Sequence, residues 1–199
     1  MIDYPPQQQP AAFNKKTPST LITAQQLMWL PGHNTKFTEL IRGVLHVGEP
    51  SGGASSEVAA KITILLGAYV LQHDLGSITG EAGGYVLERN PDTVRAPDIA
   101  FTRRERVSHG MPRTFFEGAP DLAVEVMSPS DNRSAVIAKA NDYLAAGTPL
   151  VWVVDVWNRI VTVYRAGHPP ETVDASGTLT GGDVVPGFTL DVKRILPPE

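Results

Sequence analysis

Residues 121–127 read DLAVEVM, and the alternation within them decides the architecture. Side chains along a strand point to opposite faces in turn. Leu122, Val124 and Val126 therefore share one face, and Ala123, Glu125 and Met127 share the other. Both faces are apolar except at Glu125, the pattern of a central strand covered on both sides. Ser128-Pro129-Ser130-Asp131 interrupts the run and opens a helix expected over Arg133 to Ala146, capped by Ser128 or Ser130 and closed by Gly147. Leu150 to Val156 is a second hydrophobic strand, and Ile160 to Arg165 pairs with it through Trp157-Asn158-Arg159. Strand, helix, strand in that order implies a crossover that lays two parallel strands in one sheet.

Working outward, residues 1–19 are rich in Pro and Gln and carry too little apolar surface to fold alone. They are expected to form a flexible arm, with 20–199 as a single domain. Thr23 caps a short helix through Leu27 and Trp29, stopped by Pro31 and Gly32. FTELI (37–41), a turn at Arg42-Gly43 and VLHV (44–47) read as a hairpin. After SGGASS (51–56), Val58, Ile62, Leu65, Leu66 and Tyr69 recur at helical spacing, and the helix ends near Gly76. Strands are expected at Ser77–Gly80, Gly84–Leu87 and Asp98–Thr102, with a loop and partial helix between Arg103 and Gly118. Short strands and turns fill Thr178–Leu196. The fold class is α/β, a mixed central sheet flanked by helices.

Composition narrows the chemistry. The chain has no cysteine, which excludes disulfides, thiolate metal sites and cysteine nucleophiles. Lys plus Arg total 17 against 21 Asp plus Glu, a net charge of -4, which argues against a purely electrostatic grip on nucleic acid. No apolar run approaches the roughly 20 residues of a membrane span. No basic start followed by an apolar stretch opens the sequence, so the expected location is the cytoplasm.

Glu125 is the residue that needs explaining. A carboxylate on a doubly covered strand is costly unless it is ion-paired or binds a cation. Asp98 repeats the pattern in APDIAF (96–101), where Ile99 and Phe101 point one way and Asp98 and Ala100 the other. A strand-end carboxylate capping nearby amides is the plainer reading of Asp98. Lys139 lies on the helix after the Glu125 strand, at the edge of a stripe made by Val136, Ala140, Tyr143 and Leu144. Its stem can follow the apolar face while the ammonium reaches out, either to solvent or to the carboxylates. Two carboxylates can hold Mg²⁺ with waters completing the octahedron, and a lysine beside them can orient water or offset negative charge.

These segments resemble the Uma2 family (DUF820) of restriction-endonuclease-like proteins in the PD-(D/E)XK nuclease superfamily. The matching pieces are ELIRGVL (39–45), RAPDIAF (95–101), GAPDLAVEVMSPSD (118–131), KANDYLAAG (139–147), LVWVVDV (150–156), VTVYR (161–165) and VPGFTLDV (185–192). The resemblance implies a metal-dependent endonuclease using Mg²⁺, with Mn²⁺ as an alternative, on DNA. Asp98 matches the motif aspartate and Glu125 the second acid. The lysine expected two residues later is replaced by Met127, which points to Lys139 on the next helix. Glu39 matches a recurrent glutamate and adds a metal ligand or braces one; a hairpin-end charge is the alternative. Family members often carry a histidine where Ser55 stands, and Glu57 could point into the site instead. That loss keeps open a second reading, an inactive nuclease scaffold that binds nucleic acid or protein.

Other features are weaker. Ser128 and Ser130 lack a Gly-x-Ser-x-Gly elbow, and the five histidines show no metal-ligand spacing. Arg95, Arg103, Arg104, Arg106 and Arg113 concentrate around Asp98 in sequence and could hold phosphates. Trp152 and Trp157 are expected to form an exposed pair supporting a homodimer.

Overall fold

The structure, a computed structural model, describes residues 21–30, 38–48 and 50–198. The 1–19 arm, the Pro31-Gly32 stop and Phe37 fall outside them. Along the chain run α1 (Ala24–Met28), β1 (Thr38–Ile41), β2 (Val44–Val47), α2 (Gly53–Gln72), β3 (Gly76–Gly80), β4 (Tyr85–Glu88) and β5 (Thr93–Arg95). There follow β6 (Ile99–Arg103), α3 (Arg104–Val107), β7 (Phe116–Glu117), β8 (Leu122–Met127), α4 (Arg133–Ala145), β9 (Leu150–Asp155) and β10 (Ile160–Arg165). β11 (Glu171–Asp174), β12 (Thr178–Thr180), β13 (Thr189–Asp191) and a 3-10 turn at Val192–Arg194 complete the described elements.

The DLAVEVM strand is central, as its pattern demands. Its sheet has the order β11-β10-β9-β8-β6-β3, with β8 and β9 parallel and joined by the α4 crossover. The remaining pairs in that sheet are antiparallel. Leu122, Val124 and Val126 pack with Ile99, Phe101, Trp152 and the α2 residues Val58, Ile62, Leu66 and Val70. Ala123 and Met127 face α4, against Ala140 and Tyr143. The four α2 side chains are fully buried; at about 1.5–3 kcal/mol each, they contribute roughly 6–12 kcal/mol of gross hydrophobic stabilisation.

By length and composition α2 could cross a membrane, with 20 residues and a mean hydropathy of 1.4. That corrects the expectation that no such run exists. Its buried face lies on the sheet, however, and its outer face carries a Glu57–Lys61 ion pair at 2.9 Å.

A second sheet, ordered β2-β1-β5-β4-β7, stands beside the first. The β1–β2 turn has Arg42 at φ 48° and Gly43 at φ 78°, the left-handed pair that a two-residue hairpin needs. Two sequence expectations are corrected. The cap of α4 is Asn132, whose side chain accepts from the Ser134 N–H at 2.9 Å; Ser128 and Ser130 instead bond one another. Trp152 is fully buried, because β9 lies between β8 and β10 with both faces covered, and only Trp157 is exposed. The exposed tryptophan pair therefore does not exist.

Candidate active site

Strand register brings the two sequence-predicted acids together. β6 and β8 run antiparallel with Ile99 opposite Val124 and Ala100 opposite Ala123. One residue further, Asp98 lies opposite Glu125, and directly opposed residues share a face. That face looks toward α4. Asp98 Oδ2 accepts from the Val126 N–H at 2.6 Å, which fixes the aspartate against the neighbouring strand.

From α4, two side chains one helical turn apart reach the same carboxylate. Lys139 Nζ donates to Glu125 Oε2 at 2.9 Å, and Tyr143 Oη donates to Oε1 at 3.0 Å. The other two ammonium hydrogens go to the Ala96 carbonyl at 2.9 Å and to Glu39 Oε1 at 3.0 Å. An ammonium has three donors, and all three are engaged. Glu39 arrives from β1 of the second sheet. It also accepts from the Ala96 N–H at 2.9 Å and from Arg95 Nη1 at 2.8 Å, and Arg95 in turn pairs with Asp142. Glu39 thus ties the hairpin to the Glu125–Lys139 pair.

These groups line a cleft of about 530 Å³ between the hairpin, the β6 and β8 strand ends and α4. Its ionic lining is five carboxylates, Glu39, Glu81, Asp98, Glu125 and Asp131, against two cations, Arg95 and Lys139. His46, opposite Glu39 in the hairpin, also faces it.

The excess of acid shows in the ionisation. Burial pushes the Glu125 carboxyl up to about 8, with Lys139 opposing and Asp98 and Glu39 adding to the rise. Asp98 is raised by burial, against the pull of Lys139 and the Val126 amide. Glu81 is raised by burial and by Asp98. Burial also works against the charge on Lys139, but Glu125, Glu39 and Asp98 together outweigh it and hold the ammonium well above its ordinary value. Glu39 is the exception among the acids. Burial disfavours its charge, yet Lys139, Arg95 and the Ala96 amide bring it below the usual value.

Asp98, Glu125, Lys139 and Glu39 therefore converge. Glu57 does not join them, since it is exposed and paired with Lys61. Ser55 is buried, its hydroxyl donating to the Met127 carbonyl at 2.9 Å. The arginine concentration around Asp98 is corrected: only Arg95 of the five lines the cleft. Arg103 and Arg106 pair with Asp121 and Arg104 with Asp74, past the far end of β6. Tyr143, Glu81, Asp131 and Asp142 were not anticipated as site residues. Among the described residues no three acidic or histidine side chains form a ready-made metal cage.

The family model described as "Uma2: Putative restriction endonuclease" matches residues 24–193. The chain belongs to the Uma2 family. In fold this Uma2 chain is similar to the "putative nuclease belonging to DUF820" from Anabaena variabilis, with a TM-score of 0.77 and 21% identity, over 87% of this chain and 97% of that one. At that identity the likeness speaks for the restriction-endonuclease-like fold. No curated protein matches the Uma2 chain.

Proposed function

We propose that this Uma2 protein is an endonuclease that hydrolyses DNA phosphodiester bonds with a divalent cation, Mg²⁺ or Mn²⁺, held by Asp98 and Glu125. The observation that carries the reading is the pairing of these two acids on one sheet face beside Lys139, in a cleft whose carboxylates outnumber its cations. The donor set suits a hard ion: it is all oxygen, and Mg²⁺ is commonly held by one or two carboxylates plus water rather than by a protein cage. Such an ion, when bound, lowers the pKa of a water ligand and stabilises charge on the phosphate.

The chain's own residues do the rest. Val126 fixes Asp98 through its amide. Tyr143 and Lys139 hold Glu125 at a defined rotamer, and preorganised groups of this kind need not reorganise during the reaction. Lys139 has no spare hydrogen for a substrate, so it acts by its charge unless it exchanges the Ala96 or Glu39 contact for one to water or phosphate. Glu39 braces Lys139 and Arg95.

The fully engaged ammonium, with Ser55 at the family's histidine position, favours a second reading: a scaffold that binds nucleic acid without cutting it. Incubation of supercoiled plasmid with the protein and Mg²⁺ or Mn²⁺ separates the two. Nicking or linearisation that is lost in Asp98→Ala and with chelator is the expected result. Cleavage that survives Asp98→Ala removes the site, and binding without cleavage selects the second reading.

A further inference from the structure

The residue after β3 extends the acid pair into a row. β3 and β6 run antiparallel with Gly80 opposite Ile99. One step further, Glu81 lies opposite Asp98, as Asp98 lies opposite Glu125 on the other side. Glu81, Asp98 and Glu125 thus form a line of three carboxylates across three neighbouring strands, with Lys139 at the Glu125 end only. Like charges directly opposed across strands are destabilising, and the Glu81 end has no cation to offset them. Asp98 and Glu81 also stand on the wall shared by the cleft and a smaller cavity of about 100 Å³. The hydroxyls of Ser51, Ser55 and Ser56 line that cavity, and no cationic side chain does.

The acceptor capacity left on each acid ranks in the same direction. A carboxylate offers about four acceptor positions. Glu39 has used three, on the Ala96 amide, Lys139 and Arg95. Glu125 has used two, on Lys139 and Tyr143. Asp98 has used one, on Val126. Glu81 accepts no hydrogen bond from a described residue. A divalent ion is repelled by the Lys139 ammonium and attracted to unspent oxygens, and both effects move it toward the Glu81 end of the row.

We infer that Glu81 is a ligand of the divalent cation, seated with Asp98 on the side away from Lys139, while Glu39 is not. This rests on the cation-dependent reading above but assigns a ligand that neither the motif match nor the Lys139 cluster supplies. The test is Mn²⁺ binding to the full chain at pH 8.5, measured by the EPR signal of free Mn²⁺, with no substrate present. Glu81→Gln is expected to weaken binding about 10–100-fold, and Asp98→Asn at least as much. Glu81→Ala repeats the measurement without an amide oxygen that could still ligate. Glu57→Gln, on the outer face of α2, is expected to bind as the unaltered protein does. Circular dichroism confirms that each variant is folded. Unchanged affinity in both Glu81 variants, with Asp98→Asn weakened, overturns the Glu81 assignment and leaves the hydrolase reading standing. An equal loss in Glu57→Gln reduces the effect to bulk charge and also overturns it. An unaltered protein that binds no Mn²⁺ overturns both.

Discussion

Replacing Lys139 by methionine tests the electrostatics of the site without removing its packing. The ammonium is 17% exposed and contacts Glu125, Glu39 and the Ala96 carbonyl. Methionine keeps most of the stem's volume and removes the charge. Breaking one side of a buried ion pair costs about 3–5 kcal/mol, because the partner is left charged and unpaired. For a chain of this length, 1 kcal/mol moves Tm by about 2–4 °C, so the expected loss is roughly 6–20 °C. The cost must depend on pH. Glu125 has a folded pKa of about 8, above its ordinary 4.5. A raised folded pKa means that the carboxyl's contribution to stability is full below about 4.5 and is lost as pH rises through 8. Without Lys139 that folded pKa rises further. The variant is therefore expected to lose most at pH 9 and clearly less at pH 6, where Glu125 already carries its proton. Thermal melts followed by far-UV circular dichroism at the two pH values measure this. Adding Glu125→Gln to Lys139→Met should recover part of the loss at pH 9. A deficit under about 1 kcal/mol at pH 9, or one equal at both pH values, refutes the buried pair as described.

Two further outcomes follow from the same groups. Because Glu125, Asp98 and Glu81 are all raised, a cation must displace protons, and apparent Mn²⁺ affinity should rise from pH 6 to 8 and level off above it. Titration calorimetry across that range reads the slope, and a flat profile removes these carboxylates from the site. Tyr143→Phe withdraws the hydroxyl from Glu125 Oε1 and should cost about 1–3 kcal/mol at pH 9; an unchanged denaturant midpoint there shows that the hydrogen bond contributes nothing.

The sequence alone carried the centre of this fold because β8 has a period of two with one exception. A carboxylate inside an apolar alternation can only be paired or ligated, so Glu125 announced itself. Lys139 was placed by helical spacing from Val136 and Tyr143, which the observed α4 face supports. Periodicity says nothing about where a side chain's polar tip ends, and so Tyr143 read as core while its hydroxyl reached Glu125. Glu81 sits in GEAGG (80–84), where no period exists; only the β3–β6 register places it, and register is a tertiary property. The arginines misled for a related reason. Arg103 is five residues from Asp98 in sequence, but an extended strand carries it about 17 Å away. Trp152 was misjudged because the sheet's order, which puts β9 between β8 and β10, is not written in β9 itself.

The claim on which the account depends is that a row of acids binds a divalent ion beside Lys139. Crystals of the protein soaked in Mn²⁺ and measured at the manganese absorption edge test it directly. The account expects an anomalous peak against Asp98, flanked by Glu81 and Glu125, with Lys139 still holding Glu39. A peak elsewhere in the chain, or none at a concentration that saturates binding in solution, contradicts it.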